Sequence, residues 1–475
     1  MYFFLVIPIC LAFFPSPPVP WGPDSFGAIV TFGATLALYS LLHFVRVRRL
    51  CRRPATSRQQ RAYDRWRRWN LLFLLLAEVT VLWLGGWSAA VRYLWVPRDP
   101  ILLDDILLLV PLTAFCCGWW ALAYDAELYL GRLDAEPFGR VKYVLTQCRQ
   151  SLGLIALPIL ALQGVFDTAL ALSPTLAASP IGSSLLLAAC TIVIVWMLPW
   201  LLRWLWGARP LPPGQTRQLL ESVAARLRFR YSDFLLWPTG GRIANALVTG
   251  VFPRPRYILL SDRLLDQLTP QEIASVLGHE IGHIRHQHLL TYLGFFGLTG
   301  SVVALLGPQL SEPLWHTRSW HWDHLASWSV WGLSLVLFAM LVLYLWAVFG
   351  YLSRRCENQA DLFGCRVVSC ARWDCAAHDR ALGPNAPLPA QACPTGVAIF
   401  SSALTKVAEI NGMPLDRRGW QHDSVAGRVA FLEHITRTPA GEQRFHSRLL
   451  RLKCLLLLAT ALVGFLAWRV GQWLH

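Results

Sequence analysis

Residues 268–288, LTPQEIASVLGHEIGHIRHQH, gather four histidines and two glutamates in one stretch that runs directly into the apolar LLTYLGFFGL. His279 and His283 are four apart, so on a helix they project from one face a single turn from each other, with Glu280 beside them. This is the HExxH pattern. Two neutral imidazoles so spaced can bind one Zn2+, which lowers the pKa of a bound water to about 7, and the adjacent carboxylate can take that water's proton. The alternative is a solvated, histidine-rich helix end lying just before a membrane span. His286 and His288 fall about one turn beyond the pair and are not assigned as ligands.

A catalytic zinc takes three protein ligands and keeps one position for water, so a third must come from elsewhere. SRRCENQADLFG, residues 353–364, places Glu357 and Asp361 four apart on an amphipathic helix. Taken alone, the pair also fits an ordinary exposed helix face. A second cluster, Cys370, Cys375, His378 and Cys393, forms a C-x4-C-x2-H-x14-C arrangement that could hold a structural zinc. Its spacing is not that of a standard finger, and reduced, unligated cysteines are the competing reading. His316, His321 and His324 lie among tryptophans in EPLWHTRSWHWDH, where an interfacial aromatic belt accounts for them better than a metal does.

The elements that must position these residues are largely membrane elements. The chain has 475 residues, 55% hydrophobic, 12% aromatic and only 15% charged, with a positive mean hydropathy; this is a polytopic membrane composition. A net charge of +15 would ordinarily raise nucleic acid as a partner. Here the basic residues, 40 Arg and three Lys, sit mostly in short loops beside apolar runs, so they report topology and headgroup contact, and no nucleic-acid partner is expected. Twelve cysteines include no CxxC pair, and several lie inside apolar runs, which favours reduced thiols over a disulfide framework.

Runs long enough to cross the bilayer core occur near 2–21, 25–45, 70–95, 105–124, 151–172, 183–205, 289–310, 326–350 and 453–472, giving eight or nine spans. The first is the weakest; lacking a basic leader and meeting PSPPVP, it reads as a retained span, not a signal peptide. Arg46–Asn70 carries ten Arg against one Asp, which assigns it to the cytoplasm. Alternation then makes 206–288 and 351–449 both cytoplasmic, on either side of a hairpin at 289–350. Three domains follow: a transmembrane region of about six spans at 1–205, a polar unit at 206–449 that carries HExxH and is interrupted by the hairpin, and a C-terminal transmembrane helix at 450–475.

Within 206–288, GQTRQLLESVAARL reads as a helix, while FRYSDFLLW, ANALVTGVF and RYILLSD read as strands around a Pro-containing turn. Thr269–Pro270–Gln271–Glu272 is a capping box with Pro at the first helical position, so the histidine-bearing helix starts there. Glu78, Arg92 and Asp167 fall inside predicted spans, where they line a wet cavity or pair between helices.

NALVTG (245–250), LSDRLLDQLTPQEIASVLGHEIGHI (260–284), CENQADLFG (356–364) and, weakly, HDSVAGRVAFL (422–432) together resemble the integral-membrane zinc metalloendopeptidases of the CAAX prenyl endopeptidase and HtpX type. The resemblance covers about the C-terminal half. It implies zinc held by His279, His283 and Glu357, with Glu280 as general base and Asp361 as the carboxylate that orients a ligand histidine. It makes NALVTG a substrate-binding edge strand, with Asn245 and Ala246 nearest the metal and an extended peptide added by β-augmentation. His422 and Arg428, six apart, could supply the positive group that stabilises a tetrahedral oxyanion, or be a polar helix start with a salt-bridging Arg. The six spans before the catalytic segment match neither family arrangement evidently, which leaves substrate access open.

The expected fold is an α-helical polytopic membrane protein with a cytoplasmic α+β zinc-peptidase domain, in a cell membrane of bacterial inner-membrane type. The expected reaction is endoproteolytic hydrolysis of membrane proteins or peptides at the cytoplasmic face, in contact with membrane lipid. Two rivals remain at this point: a signalling protease that cleaves one dedicated regulator, and a non-catalytic scaffold or transporter with a vestigial zinc site. The outer loops are short, which disfavours a sensor, and the complete His279, Glu280, His283 and Glu357 set disfavours a vestige.

Overall fold

The computed structural model describes the chain apart from residues 1–4, 14–23, 53, 97–100, 134–138, 176–178, 317–335, 337–339, 371–374, 376–377, 379–386, 438 and 474–475. Most of the predicted hairpin's second half, with His321 and His324, therefore lies outside the described residues, as does the side chain of His316. The described chain falls into two compact units. One comprises Met1–Pro210, Leu235–Arg242 and Thr249–Tyr257, the other Leu211–Phe234, Ile243–Val248 and Ile258–His475.

The first unit is a helical bundle containing α1 (Val6–Phe13), α2 (Ser25–Cys51), α3 (Ser57–Val79), α4 (Val110–Tyr129), α5 (Gly153–Leu172) and α6 (Pro180–Leu205). Asp24 starts α2 by accepting from the backbone N–H groups of Phe26 and Gly27, and Thr56 does the same for α3 through Gln59. Aromatic rings fill the bundle: Trp66 meets Trp119 with centroids 4.5 Å apart, and Tyr39 meets Phe115 at 5.1 Å. Among the described residues, four helical stretches are long and apolar enough to cross a membrane: Ser25–Cys51, Leu103–Tyr129, Arg140–Leu172 and Leu185–Leu205.

A fifth candidate is broken. The predicted span at 70–95 appears as Arg58–Leu84 and Trp87–Trp95, bent by 50°. Gly85 and Gly86 make the break: Gly86 takes a left-handed φ of +72°, and a Cβ on Gly85 would lie 2.6 Å from Thr31 Cγ2. Of the polar residues in the predicted spans, Arg92 donates to the carbonyl of Phe13, 79 residues away, and Asp167 accepts from the N–H of Leu102, 65 residues away. Helices also cover the predicted runs at 289–310 and 453–472, in α9 (His288–His316) and α13 (Pro439–Trp473).

Between α6 and α9 come β1 (Arg209–Pro210), α7 (Gln215–Arg226), β2 (Asp233–Trp237), β3 (Ala246–Thr249), β4 (Tyr257–Ser261) and α8 (Pro270–Arg285). The strands are ordered β1-β2-β4-β3, so β3 is an edge, and β1 pairs antiparallel to β2 with Arg209 opposite Leu236. The predicted α7 and the last three strands are all present; β1, only two residues long, carries no periodicity from which it could be foreseen.

The second unit is built around α8 and three later helices, α10 (Gly350–Val367), α11 (Pro394–Ile410) and α12 (Val425–Ile435). The capping box at Thr269 and Glu272 is formed as expected, with Pro270 in the first turn. Glu272 does more than cap: it accepts from Ser402 Oγ at 2.7 Å and Lys406 Nζ at 2.9 Å, which pins α11 to the start of α8. The helix α10, expected to be amphipathic, is buried along nearly its whole length from Cys356 to Cys365. Leu362 and Cys365 join Val397, Phe400, Leu432 and Phe445 in one apolar core, while Glu357 and Asp361 are buried on another side.

Candidate metal centre

α8 and α10 approach so closely that glycines are required at the contact. A Cβ on Gly278 would lie 2.7 Å from Val367 Cγ2, and one on Gly364 would lie 2.8 Å from the carbonyl oxygen of Ser275. One turn further along α8, Gly282 sits against Ala360 and Phe363. This contact carries His279 and His283 to Glu357.

Nε2 of His279 and Nε2 of His283 are 3.1 Å apart; Glu357 brings Oε2 to 3.8 Å from the first and Oε1 to 3.6 Å from the second. Three ligands at bond lengths of about 2.0–2.1 Å and tetrahedral angles would be about 3.4 Å from one another. The observed separations straddle that value, so the residues present fit one zinc ion. All three are largely covered, with side-chain exposures of 12%, 25% and 8%.

Behind each of the two histidines stands a second polar group. Nδ1 of His279 lies 2.9 Å from Asp361 Oδ1, and Asp361, wholly buried, is gripped by Arg428 through Nε at 2.8 Å and a second nitrogen at 2.5 Å. Nδ1 of His283 lies 2.8 Å from Nδ1 of His288, whose Nε2 lies 3.1 Å from Gln359 Oε1. Gln359 is held in turn by Lys453, which donates to the same Oε1 at 2.9 Å, and by His446 at 3.0 Å from its amide nitrogen. The ring of Phe400 stacks on His279 at 5.8 Å, closing that side with apolar surface. Such backing fixes ring orientation and tautomer before any metal arrives.

Electrostatics divide the two glutamates. Burial pushes the Glu280 carboxyl up to about 7, helped by the charge of Glu357 and opposed by His279. Burial works against Glu357 as well, but the His422 hydrogen bond and the nearby imidazoles outweigh it and hold Glu357 well below the carboxylate range. His283 is pushed down to about 4 by burial and by His279, so its ring is neutral near pH 7 and its nitrogen lone pair is free to coordinate. One carboxylate is thus permanently anionic beside the histidines, and the other is poised near neutrality to exchange a proton.

His422 and Arg428 turn out differently placed. Nδ1 of His422 is 3.0 Å from Glu357 Oε2 on a side chain that is 57% exposed. The Arg428 guanidinium is buried, spends two nitrogens on Asp361, and comes no closer than 3.8 Å to Glu357. On the strand side, the group that reaches Glu280 is the backbone N–H of Val248, 3.4 Å from its Oε2. Asn245 instead accepts from the N–H of Ala246 and donates its own N–H to Ser261 Oγ, anchoring the start of β3. Val248, His288 and Gln359 were not singled out in the sequence. His288 carried the one visible hint, as a histidine five residues past a predicted ligand.

Cys370, Cys375, His378 and Cys393, the second predicted cluster, are also brought together, with their ligand atoms all within 4.8 Å of one another.

Part of the chain is similar in sequence to known proteins. Residues 210–384 match the model of Peptidase family M48. A protein described as Protease HtpX homolog from Bordetella petrii is 32% identical over 112 residues, 22% of this chain and 37% of that protein; another so described, from Pyrobaculum aerophilum, is 28% identical over 177 residues, 37% and 49%. The chain thus spans between a third and a half of the length of these curated relatives. The crystal structure of S. mikatae Ste24p aligns over 88% of this chain and 99% of that one at 16% identity, with a TM-score of 0.39. The part of the chain that matches the Peptidase family M48 model is the segment that holds HExxH, Glu357 and Asp361.

Proposed function

We propose that this chain is a zinc-dependent integral-membrane endopeptidase, working on membrane-associated proteins or peptides at the cytoplasmic face. The observation that carries the reading is the convergence of His279, His283 and Glu357 beside a half-buried Glu280 whose carboxyl is pushed up to about 7. Zinc held by those three groups supplies a Lewis acid that polarises the scissile carbonyl and acidifies water.

The chain's own residues do the rest. Glu280 takes a proton from the attacking water and returns it to the leaving amine, a task suited to a carboxyl that titrates near neutral pH. His422, exposed and 3.0 Å from Glu357, is the group on the open side of the site able to reach a developing oxyanion. Arg428 serves as a positioning group for Asp361, and through it for His279. The edge strand β3 offers its outer backbone to an extended peptide from Asn245 and Ala246 onward, and Val248 ties that strand to the catalytic glutamate.

The domain reading that goes with this function is a transmembrane region of about six spans at 1–205, a peptidase unit at 206–449 and a terminal helix at 450–475, within an eight- or nine-span topology. Its support is the Arg-rich segment 46–70 and the charge alternation of the loops. Reporter fusions after residues 60 and 420 are expected to register cytoplasm, and an external signal at either would refute the orientation.

The activity test uses Glu280→Gln in the full-length protein. It is expected to retain the zinc of the wild type while cleavage of an unfolded membrane-protein substrate falls by about 100- to 10,000-fold. Undiminished turnover would remove Glu280 from the mechanism.

A further inference from the structure

Between the end of α10 at Val367 and the start of α11 at Pro394, no helix or strand occurs among the described residues. Long connections of this kind are uncommon in compact domains unless they serve a function or are tied down. Four side chains of the connection and its ends nonetheless converge: the thiols of Cys370, Cys375 and Cys393 and the imidazole of His378. Cys370 and Cys393 are 3% and 0% exposed, and all three cysteines are free of disulfides.

We infer that Cys370, Cys375, His378 and Cys393 form a second metal site, a closed Cys3His centre that binds one structural zinc ion. The geometry is that of a coordination sphere. At about 2.3 Å for sulfur and about 2.0–2.1 Å for nitrogen, a tetrahedral centre separates the two donors by about 3.6 Å. Sγ of Cys393 and Nδ1 of His378 are 3.6 Å apart. Thiolates with one imidazole select zinc over the hard cations that prefer oxygen. Four protein ligands leave no position for water, so the site is structural and not hydrolytic.

The backbone is arranged for a thiolate. Cys393 caps α11, its Sγ accepting from the N–H of Gly396 at 3.3 Å, so sulfur charge faces the positive end of that helix. The N–H of Cys393 donates to Ser369 Oγ, which itself donates to the carbonyl of Cys365, fixing Cys393 against the end of α10. Thr395 Oγ1 lies 3.5 Å from Sγ of Cys375. Binding replaces three S–H bonds by three S–Zn bonds and releases three protons to solvent.

The position gives the site its purpose. Cys370 lies three residues beyond α10, which carries Glu357 and Asp361, and Cys393 immediately precedes α11, which carries the Phe400 ring stacked on His279. One ion therefore fastens together the two helices that back the HExxH centre. This inference does not depend on catalysis, and its failure is separable from failure of the peptidase reading.

The test is the metal content of the full-length protein purified in detergent, by elemental mass spectrometry. Wild type is expected to hold about two zinc ions per chain, His283→Ala about one, and the pair Cys375→Ser with Cys393→Ser about one. Substitution with cobalt adds a signature independent of folding in the variants. The sulfur-to-cobalt charge-transfer absorption of a thiolate-bound ion is expected in wild type and in His283→Ala, and is expected to vanish in the cysteine variant. His378→Cys, which keeps four ligands, is expected to keep about two zinc ions. A wild-type content of one zinc that His283→Ala removes, a cobalt form without thiolate absorption, or a disulfide among these cysteines in the native protein would each overturn the site.

Discussion

Nδ1 of His283 faces Nδ1 of His288 across 2.8 Å, and this pairing sets the direction of every proton behind the metal centre. If Nε2 of His283 is to coordinate, its Nδ1 must carry the hydrogen and donate to His288. His288 must then donate from Nε2 to Gln359 Oε1, which already accepts from Lys453, while the Gln359 amide nitrogen donates to His446. Each of these contacts then pairs one donor with one acceptor. Replacement of His288 by Phe removes the acceptor and frees the His283 ring to rotate. Zinc affinity of the HExxH centre is expected to fall by about 10- to 100-fold, measured by competition with a chelator, with a smaller loss for His288→Gln. Unchanged affinity in His288→Phe would show that the ring is held by other contacts.

Asp361 and Arg428 form the other support. The carboxylate is wholly enclosed and keeps its charge only because a guanidinium meets it on two nitrogens, which overcomes burial and holds Asp361 below its ordinary range. Arg428→Met leaves a buried anion without its partner and is expected to destabilise the protein by about 3–5 kcal/mol. Arg428→Met with Asp361→Asn removes the charge as well and is expected to recover a large part of that stability. Thermal unfolding of the three proteins in one detergent distinguishes a buried pair from a dispensable surface contact: the latter would give equal midpoints.

Glu272 links stability to pH. Burial opposes its ionisation, but hydrogen bonds from Lys406, Ser402 and Thr269 outweigh burial and lower its pKa in the folded state. A carboxyl lowered on folding stabilises the protein above the unfolded value, about 4.3, and that stabilisation is lost as pH falls through the folded value. Glu272→Gln is therefore expected to be less stable than wild type by about 1 kcal/mol or somewhat more at pH 7, a modest figure because Lys406 is partly exposed. Below pH 4 the two midpoints are expected to converge. A gap that stays constant from pH 7 to pH 3 would mean that Glu272 acts only through packing.

What the sequence made legible is local. HExxH, the Thr269 capping box and the i, i+4 pair Glu357 and Asp361 are each contained within one helical turn or two, and periodicity exposes them. The partners that complete the site are not local. Gln359 meets His288 across 71 residues and His446 across 87, and Val248 meets Glu280 across 32, so no window of sequence pairs them. The burial of α10 was hidden for the same reason. Its polar residues look like a solvated face, and only the arrival of α8 and the Arg428 guanidinium turns that face inward. The bend at Gly85 and Gly86 was written in the sequence as a glycine pair, but the high hydropathy on both sides made the run read as one straight span.

The same glycine logic, at the centre of the site, gives a last expectation. A methyl group on Gly364 would lie 2.8 Å from the backbone oxygen of Ser275, and a carbonyl in the middle of α8 has no flexible side chain with which to yield. Gly364→Ala must therefore push α10 away from α8, and Glu357, two turns earlier on α10, moves with it. Overpacking of this kind costs about 1–3 kcal/mol. The displacement is expected to weaken zinc binding at HExxH as well as stability, whereas a helix that simply gained a better helix former would be stabilised by about 1 kcal/mol. The two outcomes have opposite signs in thermal unfolding. Chelator competition on the same variant then shows whether the distance between Glu357 and the histidines is what Gly364 protects.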